Sequence, residues 1–198
     1  MLLRISMLAY VVLQFIAFFF VLVGTPIDMF RQSPVLIPEA ACLTLWGSKV
    51  SCSAVRYDLT AYNYWYLCPK SRQRWRSAEL FAILSIFVYG TAVIFGYMRV
   101  YFCGYLRWVC LALNVAGIIT LGIVWGLVVY VYHVPESINC ISLKDFRYHF
   151  GAGLVLFLIA WCLNIINIVF LMIPCEASVS IEPLEHELSV RPKVPPMK

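Results

Sequence analysis

The chain is 198 residues long, 63% hydrophobic and only 13% charged, with a formal net charge of +5. A soluble domain carries about 25% charged residues, so the shortfall excludes an ordinary water-soluble globule and points to lipid as the solvent. Nucleic acid is not among the partners expected of such a chain.

Four segments are long and apolar enough to span a bilayer: residues 5–23, 80–98, 108–132 and 150–173. At 1.5 Å per residue, about 19 to 25 residues cross the roughly 30 Å hydrocarbon core with modest tilt. The first span follows Met1-Leu2-Leu3-Arg4, a basic start that a signal peptide would share. Its apolar run outlasts the roughly 7–15 residues of a signal core and no small-x-small site follows, so it reads as an uncleaved helix. Residues 24–79 then form a large polar loop, 99–107 a connection short enough to force an antiparallel helical hairpin, and 133–149 a smaller loop. Four spans put both termini on one side. The tail, 174–198, scatters Glu176, Glu182, Glu185 and Glu187 among prolines and reads as disordered. The fold class expected is an all-α transmembrane four-helix bundle over residues 1–173, with a small disulfide-stabilised, β-rich extracellular unit.

The large loop holds Cys42-Leu43-Thr44-Leu45-Trp46-Gly47-Ser48-Lys49-Val50-Ser51-Cys52. Two cysteines bracket alternating apolar residues, an aromatic and a glycine, the pattern of a strand–turn–strand unit stapled by a disulfide, with Gly47 supplying the turn conformation. The segment resembles the signature of the amastins, surface membrane proteins of trypanosomatid parasites: Cys, apolar, Thr/Ser, Leu/Phe, Trp/Phe, Gly, any, basic, any, acidic or amide or Thr, Cys. Cys42, Leu43, Thr44, Leu45, Trp46, Gly47, Lys49 and Cys52 fit, and Ser51 departs. The resemblance continues through Tyr10–Phe18, Val23–Phe30, Leu106–Asn114 and Ile165–Phe170, covers residues 5–173, and is greatest to the delta subgroup. Four spans with a large first outer loop carrying a Trp-Gly and a cysteine pair are also similar in arrangement to the claudins.

Charge and cysteine placement disagree about orientation. The two loops on the large-loop side carry Arg31, Lys49, Arg56, Lys70, Arg72, Arg74, Arg76, Lys144 and Arg147, against Arg4, Arg99, Arg107, Arg191, Lys193 and Lys198 on the other. The positive-inside rule would put the large loop in the cytosol, but loops near 60 residues begin to escape it. Cys42, Cys52, Cys68 and Cys140 all lie on the large-loop side, as suits two disulfides in an oxidising exterior. The family resemblance also places this loop outside. A zinc site is disfavoured because Cys42 and Cys52 lack close-paired ligand spacing. The pairing expected is Cys42 with Cys52, adjacent in sequence, and Cys68 with Cys140. Cys103, Cys110 and Cys175 lie near the opposite boundary and are candidates for palmitoylation. The localisation expected is the plasma membrane, multi-pass, with both termini cytosolic.

Within the spans no Asp, Glu, Lys, Arg or His lies near mid-membrane. Asn114, Asn164 and Asn167 read as interhelical hydrogen-bonding amides. A transport pathway would ordinarily be marked by an intramembrane ionisable group. Gly117, Gly122 and Gly126 are spaced for close helix packing, within the bundle or at a homo-oligomer seam. Lys70-Ser71-Arg72-Gln73-Arg74-Trp75-Arg76 abuts the second span and reads first as headgroup-level anchoring. Aromatics interleaved with these cations also make the first outer loop a candidate site for host membrane lipid or an anionic glycan. There is no nucleophile elbow, phosphate loop, His-x-x-x-His pair or carboxylate pair facing a common cavity, so no catalysis, cofactor or metal is expected. The resemblance implies a non-catalytic protein of parasite surface contact with the host compartment and intracellular survival; the alternative is a transporter or channel accessory in proton or ion homeostasis.

Overall fold

The computed structural model describes residues 2–32, 41–101, 106–136, 140 and 142–172. Four long helices, α1 (Leu2–Gly24), α3 (Pro69–Tyr101), α4 (Leu106–His133) and α5 (Ala152–Met172), are each long and apolar enough to cross a membrane. A short helix, α2 (Ala61–Tyr64), lies outside this set. In the bundle α1 packs on α3 and α5, and α4 packs on the same two, so the helices close into a ring. Large apolar side chains stand exposed along them, Phe15, Phe87, Ile119 and Val169 among them, because the outer surface of such a bundle faces acyl chains and not water.

The second span expected over 80–98 is the middle of a much longer helix. With 33 residues, α3 runs about 50 Å, well beyond the roughly 30 Å hydrocarbon core. Its first turns, including the whole basic run, therefore stand above the apolar layer as helix and not as loop. Pro69 suits the first helical position because its missing N–H would have no intrahelical partner. The buried face Ser71, Trp75, Ala78, Ala82, Ser85, Tyr89 and Ala92 recurs every three or four residues and carries the helical period across the boundary.

Five short strands form an antiparallel sheet on the large-loop side: β1 (Asp28–Gln32), β2 (Cys42–Thr44), β3 (Gly47–Lys49), β4 (Leu59–Thr60) and β5 (Tyr148–Phe150), in the order β4-β3-β2-β1-β5. β1 leaves α1 and β5 enters α5, and the two pair with Phe30 opposite Phe150. The sheet is thus clamped to the bundle at the ends of two helices. Phe150, expected within the fourth span, belongs to this strand. The proposed tail lies outside the described residues.

An aromatic cluster joins the two layers. Phe30 stacks on Tyr132 at 5.4 Å between centroids and tilts against Trp75 at 6.2 Å, while Trp65 meets Trp75 at 5.6 Å. Rings at these separations contribute beyond their buried area. Tyr64 donates to the Tyr148 hydroxyl at 3.4 Å, and burial pushes the Tyr64 phenol well above its ordinary range.

Candidate functional site

The sheet unit is built from the cysteine-bracketed segment. β2 and β3 make a tight hairpin in which Thr44 organises the turn: its hydroxyl accepts from the backbone N–H of Trp46 and Gly47, both at 3.2 Å, and donates to the Gly47 carbonyl at 2.9 Å. A hydroxyl there gives the turn backbone partners that a hydrocarbon side chain could not. Leu43 and Leu45 are both fully buried. Gly47 is required for a reason other than turn conformation: a Cβ would run into the Leu59 carbonyl on the neighbouring strand. Lys49 lies 4.8 Å above the Tyr57 ring.

Cys42 is joined to Cys52 with Cα atoms 5.2 Å apart, and Cys68 to Cys140 at 5.9 Å. The first bridge closes the hairpin. The second spans 72 residues of sequence and ties the foot of α3 to the loop after α4. Among the described residues, Asp28, Cys42 and Cys52 bring three potential metal-ligand atoms within 4.8 Å of one another. The two sulfurs are bonded to each other, and the Asp28 carboxylate is engaged by Arg31 at 3.2 Å, so this group does not form a donor set for an ion.

The loop and helix are latched by Glu136. Its two carboxylate oxygens accept from the backbone N–H of Lys70 at 2.8 Å and Ser71 at 2.7 Å, satisfying donors that a helix start leaves unpaired. Slight desolvation works against ionisation, but these backbone bonds prevail and hold the carboxyl below its usual range.

Trp46 is only half-buried, so the large aromatic at the centre of the sheet unit is not the one in the motif. Trp75, 1% exposed, takes that place and donates its indole N–H to the Leu45 carbonyl at 2.8 Å. Sequence reasoning grouped Trp75 with the arginines around it. The signal that distinguishes it is the buried helical face that runs through it from Ser71 to Ala92.

In the bundle interior, the three asparagines tie α1, α4 and α5 together. The Asn114 amide donates to the Tyr10 hydroxyl at 2.9 Å and to the Cys110 carbonyl at 2.7 Å. Asn164 donates to the Asn114 carbonyl at 2.9 Å, and Asn167 to the Gln14 side chain at 2.7 Å. Ser85 on α3 reaches Thr120 on α4 at 3.0 Å. The side-chain oxygens of all three asparagines are buried with no hydrogen-bond partner among the described residues. Gly117 admits this network, because a Cβ would sit 2.8 Å from Asn164 and 2.9 Å from Tyr89. Gly122 faces the Trp161 indole at 3.5 Å, whereas Gly126 faces open space, so the spaced glycines do not act as one packing seam inside the chain.

Cys110, taken from its position as an acylation candidate, is corrected by its surroundings. It is fully buried on the α4 face that meets Tyr10 and Leu171, with no surface to offer an acyl chain. Cys103 and Cys175 lie outside the described residues. Arg99, whose role the sequence did not suggest, is buried 6.0 Å from the Tyr10 ring centroid.

A ring of four apolar helices bearing a disulfide-tied sheet at one end defines a multi-pass membrane protein with a folded unit outside the bilayer. The sequence matches the family described as amastin surface glycoprotein over residues 15–171, and the chain belongs to that family. Among individually curated proteins, none matches the sequence. Despite the family's description, none of its five asparagines, Asn63, Asn114, Asn139, Asn164 and Asn167, starts an Asn-x-Ser/Thr sequon, so this sequence offers no N-linked acceptor.

Proposed function

We propose that this protein works by contact and without catalysis, displaying its sheet unit outside the cell with both termini in the cytosol. The contact is with the host compartment, in support of intracellular survival. The observation that carries the reading is what the sheet unit leaves uncovered. Val55 is 92% and Leu67 77% exposed, and Tyr62 and Tyr66 are exposed beside them in sequence. These side chains lie in segments before the long helix α3, where there is no apolar layer to explain them, and they are the apolar groups that the unit would offer to a partner. A host membrane lipid or an anionic glycan fits the neighbouring cations. The sheet over four helices, with its Trp-Gly and cysteine pair, also supports a claudin-like architecture.

The orientation reading draws on the same unit. Arg31 is paired with Asp28, and Lys49, Arg72 and Arg74 lie over Tyr57, Tyr62 and Tyr130. Basic side chains absorbed into a folded domain are weak determinants of topology, since the positive-inside bias is read from short loops. Full-length protein in proteoliposomes should capture host-cell membrane vesicles, and Val55→Asp with Leu67→Asp should reduce capture severalfold while both disulfides persist. Unchanged capture by the double variant would refute contact through this surface.

A second reading, an accessory to proton or ion transport, draws on the unpartnered amide oxygens of Asn114, Asn164 and Asn167. Ion flux through the reconstituted full chain is its test.

A further inference from the structure

One face of α3 has a feature that the contact reading does not use. Between Pro69 and Leu80 an open groove of about 490 Å³ runs along the helix, lined by Arg72, Gln73, Arg76 and Ser77. Arg72 and Arg76 are four residues apart and so lie one above the other on that face. Arg72 is held by the Tyr62 ring, 4.8 Å from its guanidinium carbon. Arg74, the third arginine of the run, is turned away onto Tyr130 at 4.4 Å.

The acidic neighbours leave the two guanidinium groups available. Glu136 directs both carboxylate oxygens to the backbone N–H of Lys70 and Ser71. Glu79 lies one turn from Arg76 and feels its charge, but the one ion pair among the described residues is Arg31 with Asp28. Below the groove the same face continues as Leu80, Leu84 and Phe87, of which Leu80 is 68% and Phe87 67% exposed. Cationic forks at headgroup height above an apolar stripe match a molecule with a phosphate at one end and hydrocarbon at the other. Guanidinium groups bind phosphate through paired, charge-assisted hydrogen bonds.

We propose that this groove is a binding site for an anionic phospholipid of the protein's own membrane, with the phosphate held by Arg72 and Arg76 and an acyl chain laid along Leu80, Leu84 and Phe87. A glycan lacks the hydrocarbon that the stripe would cover. The site does not depend on what the sheet unit touches; only the naming of its leaflet as the outer one rests on the proposed orientation. The lipid would fix the height of α3 in the bilayer and thereby the height at which the sheet is presented.

The test is native mass spectrometry of the full-length protein released from nanodiscs of phosphatidylcholine containing phosphatidylglycerol. The wild type should retain phosphatidylglycerol in preference to phosphatidylcholine, and Arg72→Gln with Arg76→Gln should cut that retention about tenfold, the scale of losing charge-assisted bonds. Arg74→Gln, on the other side of the helix, should leave retention unchanged and serves as a control for folding. Leu84→Ser should reduce retention with both arginines present. Equal retention by the Arg72/Arg76 variant, no preference between the two lipids, or displacement of the lipid by inorganic phosphate at matched concentration would each overturn the proposal.

Discussion

Thr44 is the residue on which the hairpin turns, since one hydroxyl serves two backbone donors and one acceptor. Thr44→Val keeps the shape and removes all three bonds, leaving buried polar groups unpaired. Each such loss costs about 1–3 kcal/mol, so Tm should fall by roughly 2–4 °C per kcal/mol for a chain of this size, and Thr44→Ser should restore most of it. Differential scanning fluorimetry of the purified protein reads both. A comparison of tryptophans tests the central place of Trp75. Trp75→Phe empties part of a buried site and strands the Leu45 carbonyl, so it should destabilise the sheet unit by about 2 kcal/mol or more. Trp46→Phe alters a half-buried ring and should cost less. If the two variants melt alike, Trp75 is not the centre of that unit. The motif was legible in the sequence, but its internal division of labour was not. Thr44 acts through backbone geometry, which spacing does not reveal, and Trp75 contacts the motif across 30 positions of chain.

At the level of elements, the latch on α3 carries a pH dependence whose sign can be worked out. The Glu136 carboxyl is lowered from 4.5, so its contribution is complete above that value and drains away only as pH falls through the depressed folded value. A mildly acid compartment therefore leaves the latch closed. Glu136→Gln should lower Tm at pH 7, and the gap between variant and wild type should close only in strong acid. A gap that closes between pH 6 and 5 would show that some other group controls the junction. Helix packing gives a second comparison. Gly117→Ala places a methyl against Asn164 and Tyr89 and should destabilise the bundle, while Gly126→Ala meets nothing and should be neutral in detergent monomers. The four spans were legible because lipid demands long apolar runs, yet α3 exceeded its apolar segment at both ends. Hydropathy stops at Leu80 on the sheet side, whereas the helical period of buried residues begins at Ser71. The strands β4 and β5 had no sequence signal of their own, being two and three residues long and defined by pairing.

For the whole molecule, the division between a contact protein and a transport accessory comes down to the bundle interior. An ionisable group in mid-membrane is the usual sign of a proton or ion pathway, and what connects these helices there is amide, hydroxyl and phenol. Asn164 and Asn167 each donate a bond to a neighbouring helix and keep an oxygen that is unpartnered among the described residues, so they are both fastening and a polar interruption of the apolar core. Interhelical bonds of this kind contribute about 0.6–2 kcal/mol each. Replacing both with Leu should therefore shift Tm by several degrees in either direction, since the oxygens lose an unfavourable burial as the amides lose their bonds. The same variant in proteoliposomes should leave ion flux no different from that of the wild type, and vesicle capture intact, because neither asparagine reaches the sheet. A specific proton or ion current in the wild type that vanishes in Asn164→Leu/Asn167→Leu, with the protein still inserted and its disulfides formed, would move the function from the sheet to the bundle.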